Sequence, residues 1–181
     1  MSTYTITAWP IASPTLTCYT VTPLLTYPLE QKTLNDVMER YAPIKPAKPH
    51  VFVYGHGMWN SLNITATTGW VDQLNGALVY QMPWLNGHRA FFPRLFVTPN
   101  AAGDDKPKQF LETQGNGALK KFEKDAKKIV NLRNMDHLGT WNMTVQTISP
   151  DGTHAGMRAV LTKAMMVLNW LDALDVSEYR A

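Results

Sequence analysis

The sequence predicts an α/β fold, a three-layer sandwich built on a mostly parallel sheet. Three observations carry this. Val51-Phe52-Val53-Tyr54 and Arg94-Leu95-Phe96-Val97-Thr98 are short apolar runs of the kind buried on both faces of a parallel sheet. Helical patterns lie between and after them, so strand and helix alternate. The last segment, 156–174, repeats apolar residues at three- and four-residue steps and predicts a closing helix packed along the sheet.

Taken in order, residues 3–26 are rich in Thr, Pro and β-branched residues and predict one or two short edge strands, broken by Pro10, Pro14 and Pro23. Leu34, Val37, Met38 and Tyr41 fall at helical spacing over 30–41, and Pro43, Pro46 and Pro49 end that helix and deliver the chain into the Val51 strand. A second helix is predicted over 65–81 with Trp70, Val71, Leu74 and Leu78 inward. After the Arg94 strand, a loop over 100–106 leads into a broken helical region ending near Asn131. Right-handed crossovers would put the Gly55 loop, the loop after Val97 and the Asp151 turn on one edge of the sheet. No internal repeat or low-complexity tract interrupts the pattern.

Length and composition predict one domain over 1–181. The chain has 181 residues, 45% of them hydrophobic, enough to bury a core. Its net charge of +3 is mild. The basic residues gather at Lys120, Lys121, Lys124, Lys127 and Lys128, alternating with Leu119, Phe122, Ala126, Ile129 and Val130, which is the pattern of a solvated helix face. A nucleic-acid groove calls for more Arg and interleaved aromatics, so no nucleic-acid partner is expected. No stretch approaches membrane-spanning length, and no membrane partner is expected. Cys18 is the single cysteine, which excludes an intrachain disulfide and a cysteine metal cluster. His50, His56, His88, His137 and His154 lack the spacing of a helical metal pair, so neither metal nor cofactor is expected.

Two segments carry chemistry. Ser149-Pro150-Asp151-Gly152-Thr153-His154 sets an Asp three residues before a His on a tight turn. In that arrangement the carboxylate can hold one imidazole nitrogen and leave the other for a proton transfer. The same residues are also the ordinary makings of a turn and a helix cap. Upstream, Gly55-His56-Gly57-Met58-Trp59-Asn60 follows the Val51 strand, and glycines at a strand end let backbone N–H groups approach a substrate oxygen. His56 in this loop reads equally as a substrate contact or a structural hydrogen-bonder. Trp59, Trp70, Trp84, Trp141 and Trp170 read as packing first and as a sugar platform second.

Together these segments resemble the SGNH (GDSL-type) hydrolases, in particular the branch with PC-esterase-like proteins and polysaccharide or sialic acid O-acetyltransferases. The resemblance covers about residues 48–175. It implies that Asp151 and His154 are catalytic, that Gly55, Gly57 and Asn60 serve the oxyanion, and that the substrate is an acylated carbohydrate or a small ester. The stretch Trp141-Asn142-Met143-Thr144 also fits this branch.

The family's Gly-Asp-Ser nucleophile block has no counterpart here, and Ser2, Ser13, Ser61, Ser149 and Ser177 stand on no strand-to-helix elbow. The fold is therefore expected to be incomplete at its N-terminus, with the first strand and nucleophile elbow missing. Self-association, or recruitment of N-terminal residues into the gap, would follow. Whether the chain is an enzyme stays open, and a non-catalytic binding module derived from the same fold is the alternative. An α/β-hydrolase reading of the His-Gly loop fits less well, because Gly-x-Ser-x-Gly is absent. Asn63-Ile64-Thr65 and Asn142-Met143-Thr144 are glycosylation acceptors only in a secretory pathway. A secreted location is expected if the N-terminus is truncated, and a cytoplasmic one otherwise.

Overall fold

The computed structural model describes residues 5–10, 17–20, 50–81 and 93–174. The expected helix over 30–41, the prolines after it, Trp84 and His88 lie outside these residues. The strands are β1 (Thr5–Pro10), β2 (Thr17–Thr20), β3 (His50–Gly55), β4 (Arg94–Val97) and β5 (Asp136–Leu138), in sheet order β2-β1-β3-β4-β5. β3, β4 and β5 form a small parallel sheet, and the architecture is α/β. β1 runs antiparallel both to β2, with Thr7 opposite Cys18, and to β3, with Ala8 opposite Phe52. The N-terminal residues thus lie beside β3 as well as forming an edge.

The helices are α1 (Ile64–Gln81), α2 (Leu111–Gln114), α3 (Asn116–Asn131), α4 (Trp141–Thr144) and α5 (Met157–Asp172). Asn63 caps α1, its Oδ1 accepting from Ala66 N at 3.0 Å. The chain divides into two compact units. One contains β1 to β3, α1 from Thr68 onward and the start of β4 through Leu95. Its core is Val51, Phe52, Tyr54, Trp70, Val71, Leu74, Leu78 and Leu95. Tyr54 and Trp70 meet edge to face with ring centroids 5.9 Å apart, and the Tyr54 hydroxyl donates to Asn75 Oδ1 at 2.9 Å. Burial raises the Tyr54 pKa, keeping the phenol neutral.

The other unit contains 56–67 and 96–174. Phe96, Ala101, Leu119, Phe122, Ala126, Val130, Met135 and Ala159 are its buried apolar residues. α3 buries Leu119, Phe122, Ala126 and Val130 and leaves its lysines in solvent, as their alternation predicts. Lys121 and Lys128 share Asp125 as an exposed i±3/4 ion partner, a pairing that contributes a few tenths of a kcal/mol, about 0.3–0.5.

Two features differ from the sequence expectation. His137 stands in β5, a strand absent from the sequence expectation, held where Thr98 N donates to Leu138 O at 3.1 Å. A three-residue strand has too few positions to show a period. The second difference concerns α5. Met157, Val160, Leu161, Met165 and Leu168 are exposed, Met157 at 73%, and Ala159 alone in the helix is buried. The apolar spacing gave the helix correctly, but its apolar side is not packed in the core. Spacing specifies a face and not what covers it.

Candidate functional site

The loop after β3 turns through a 3-10 turn, Met58–Asn60, with Gly57 at φ 127°, and closes as Leu62 N donates to Gly57 O at 2.8 Å. Gly57 is required here. A Cβ at this position would stand 2.5 Å from Cζ of Phe122, and the φ is one that L side chains rarely adopt. Gln114 anchors the same turn, its Nε2 donating to Met58 O at 2.9 Å.

Within this loop His56 is buried and packs its Nδ1 against Thr67 Oγ1 at 2.9 Å. Asn60 Nδ2 lies 3.3 Å from the same ring nitrogen, 3.1 Å from Thr67 Oγ1 and 3.3 Å from Asn63 O. With the Asn60 amide as donor, Thr67 donates to Nδ1 and the imidazole proton sits on Nε2. Burial pushes the His56 pKa down to about 4, so the ring is neutral at pH 7. The Asn60 amide thereby serves the loop's own acceptors, and His56 acts as an internal hydrogen-bonder. Gly55, the last residue of β3, belongs to the first unit, whereas Gly57, Asn60, Asp151 and His154 all belong to the second.

The Asp151 turn is organised by its carboxylate. Oδ1 accepts from Thr153 N at 2.9 Å and from His154 N at 2.7 Å, while Oδ2 accepts the His154 Nδ1–H at 2.5 Å. The His154 side chain stays 75% exposed. Its Nδ1 is engaged and its Nε2 is available, the order in which an imidazole works as a base. The hydrogen bond from His154, followed by those from the two backbone N–H groups, holds the Asp151 carboxyl well below the usual carboxylate range. Ser149 Oγ closes the turn by donating to His154 O at 2.9 Å.

The loop over 100–106 meets this turn directly. Gly103 N donates to Gly152 O at 3.1 Å, and Gly152, at φ 71°, packs so tightly on Asp105 and Lys106 that a Cβ would overlap their backbone. Lys106 then links the two loops. Its Nζ donates to Thr153 Oγ1 at 3.0 Å and lies 3.8 Å from Met58 Sδ and 5.9 Å from the centre of the Phe110 ring. Lys106 is 4% exposed, and burial lowers its pKa while nearby Asp151 acts the other way.

Sequence reasoning missed Lys106. Its available signal was Lys106-Pro107 at the end of the Asn100 loop, which reads as an ordinary solvated turn. Among the other candidates, Trp59 is exposed, Trp70 is core, and Trp141 carries Lys120 Nζ 5.1 Å over its ring. Trp170 Nε1 donates to Asp136 at 2.8 Å. Ser61 is exposed with φ 56°, and Ser2, Ser13 and Ser177 lie outside the described residues. Compared with known proteins, the chain matches no family model, no curated protein and no solved structure.

Proposed function

We propose that this chain is an SGNH-like esterase or O-acyltransferase domain acting slowly on an acylated carbohydrate or a small ester. The observation that carries the reading is the Asp151–His154 pair. One carboxylate oxygen is fixed by two backbone N–H groups, the other by the imidazole, and the His154 side chain is largely exposed. In this reading Asp151 sets the tautomer and His154 Nε2 takes a proton from water or an acceptor hydroxyl as it approaches the acyl carbon. Gly57 and its neighbours in the same loop supply backbone N–H groups for the oxyanion. General-base help of this kind contributes roughly 10²–10⁴-fold, which is why slow turnover is proposed.

The test is hydrolysis of p-nitrophenyl acetate by the purified chain. A slow rate that His154→Ala abolishes supports the reading, and a rate indifferent to that change sinks it.

A second reading, a binding module derived from the same fold, is favoured by one observation. The Asn60 amide is turned to His56, Thr67 and Asn63 rather than outward. Calorimetric binding of an acetylated oligosaccharide without its turnover would select it.

A further inference from the structure

We propose that Thr153 is a nucleophilic hydroxyl of this site and that Lys106 is the amine that takes its proton. The proposal rests on the esterase reading and deepens it by placing a covalent acyl-enzyme step before the attack of water or an acceptor hydroxyl at His154. Its basis is geometric. Nζ and Oγ1 are 3.0 Å apart, within the range that couples a nucleophile to its base. Hydroxyl–amine pairs of this type, Ser with Lys or Thr with an N-terminal amine, are an established alternative to imidazole.

Three features distinguish Lys106 from a surface lysine. It is buried, with 4% of its surface exposed. No carboxylate lies within ion-pair distance of it among the described residues. Its other close neighbours are the Met58 thioether and the Phe110 ring, neither of which hydrates an ammonium well. Burial disfavours the charged form, while the nearby Asp151 carboxylate and the Phe110 ring favour it. Thr153 itself is only half-buried, and it precedes His154, whose side chain is exposed.

In the acylation step, which draws on the fraction of Lys106 whose Nζ has given up its proton, Thr153 Oγ1 bonds to the acyl carbon of the ester and its own proton passes to that Nζ. Collapse of the tetrahedral adduct breaks the bond to the alcohol oxygen, which leaves with the proton from the Lys106 ammonium. The reverse sequence with water or an acceptor hydroxyl, held at His154 Nε2, releases the acyl group and restores both the hydroxyl and the free amine. No redox partner or metal enters the balance. A secondary hydroxyl is more hindered than a primary one, so turnover through Thr153 is expected to be slow.

The experiment combines p-nitrophenyl acetate hydrolysis with labelling by an alkyl fluorophosphonate and peptide mapping by mass spectrometry. The expected adduct is on Thr153. Thr153→Val, which keeps the shape and removes the hydroxyl, should abolish both adduct and the ester rate, and Thr153→Ser should retain both. Lys106→Met should lower labelling at least about tenfold, by loss of general-base help. If that variant does not fold, Lys106→Arg keeps a basic side chain that stays protonated and cannot act as a base, and it should give the same loss.

An adduct on Ser61 or Ser149 overturns the Thr153 assignment and leaves the esterase reading standing. So does hydrolysis that persists in Thr153→Val but disappears in His154→Ala, which would make His154 a base for water alone. Absence of both adduct and hydrolysis in the folded wild-type chain overturns the two together.

Discussion

The Phe122 ring occupies the space into which a side chain on residue 57 would project, its Cζ 2.5 Å from the Cβ position of Gly57. One glycine thus lets the loop after β3 lie against α3. Gly57→Ala should therefore destabilise the fold by roughly 1–3 kcal/mol, combining a positive φ with overpacking. Urea denaturation would measure it. A change below about 0.5 kcal/mol, the usual size for an uninvolved surface position, would show that the loop relaxes away from Phe122.

Asp151→Asn tests orientation separately from folding. Asn keeps an oxygen for the two backbone N–H groups but turns an N–H₂ toward His154 Nδ1, which forces the other imidazole tautomer. The ester rate should fall at least about tenfold while the melting temperature moves little, because the turn is exposed. An unchanged rate would separate the pair from any chemistry.

The chain should lose stability in mild acid. The His56 pKa is pushed down to about 4 in the folded state, below its ordinary unfolded value, so the unfolded chain binds more protons between the two. The stability is intact above about pH 6.5 and falls as pH drops toward 4. His137 is shifted in the same direction, mainly by burial, so the comparison must isolate His56. Melting temperatures of His56→Gln should show a shallower pH slope over this window than the wild-type chain. Equal slopes would assign the effect elsewhere.

The apolar side of α5 should drive self-association. Leu161 is 58% and Met165 56% exposed, on the same helix as Met157, Val160 and Leu168. Sedimentation of the wild-type chain should show dimers or larger species at micromolar concentration. Leu161→Glu with Met165→Lys should shift the distribution toward monomer without lowering the melting temperature. A monomeric wild-type chain would show that this face is tolerated in water.

The sequence by itself determined which segments become strands and helices wherever a long period was present. The Val51 and Arg94 strands follow from their continuous apolar runs, and the inward set Trp70, Val71, Leu74 and Leu78 and the sided lysines of α3 follow from a helical repeat, because burial of one helix face imposes a period that the chain must carry. The Asp151–His154 spacing likewise made their hydrogen bond legible, since three residues on a turn leave little freedom. Tertiary structure alone decided the rest. It set β1 antiparallel on β3, made a strand of Asp136–Leu138 and left the α5 apolar side uncovered. It turned the Asn60 amide inward and buried Lys106 against Thr153, 47 residues away in sequence. Those outcomes depend on partners remote along the chain, and a local period encodes the face a residue prefers but not the group it will meet there.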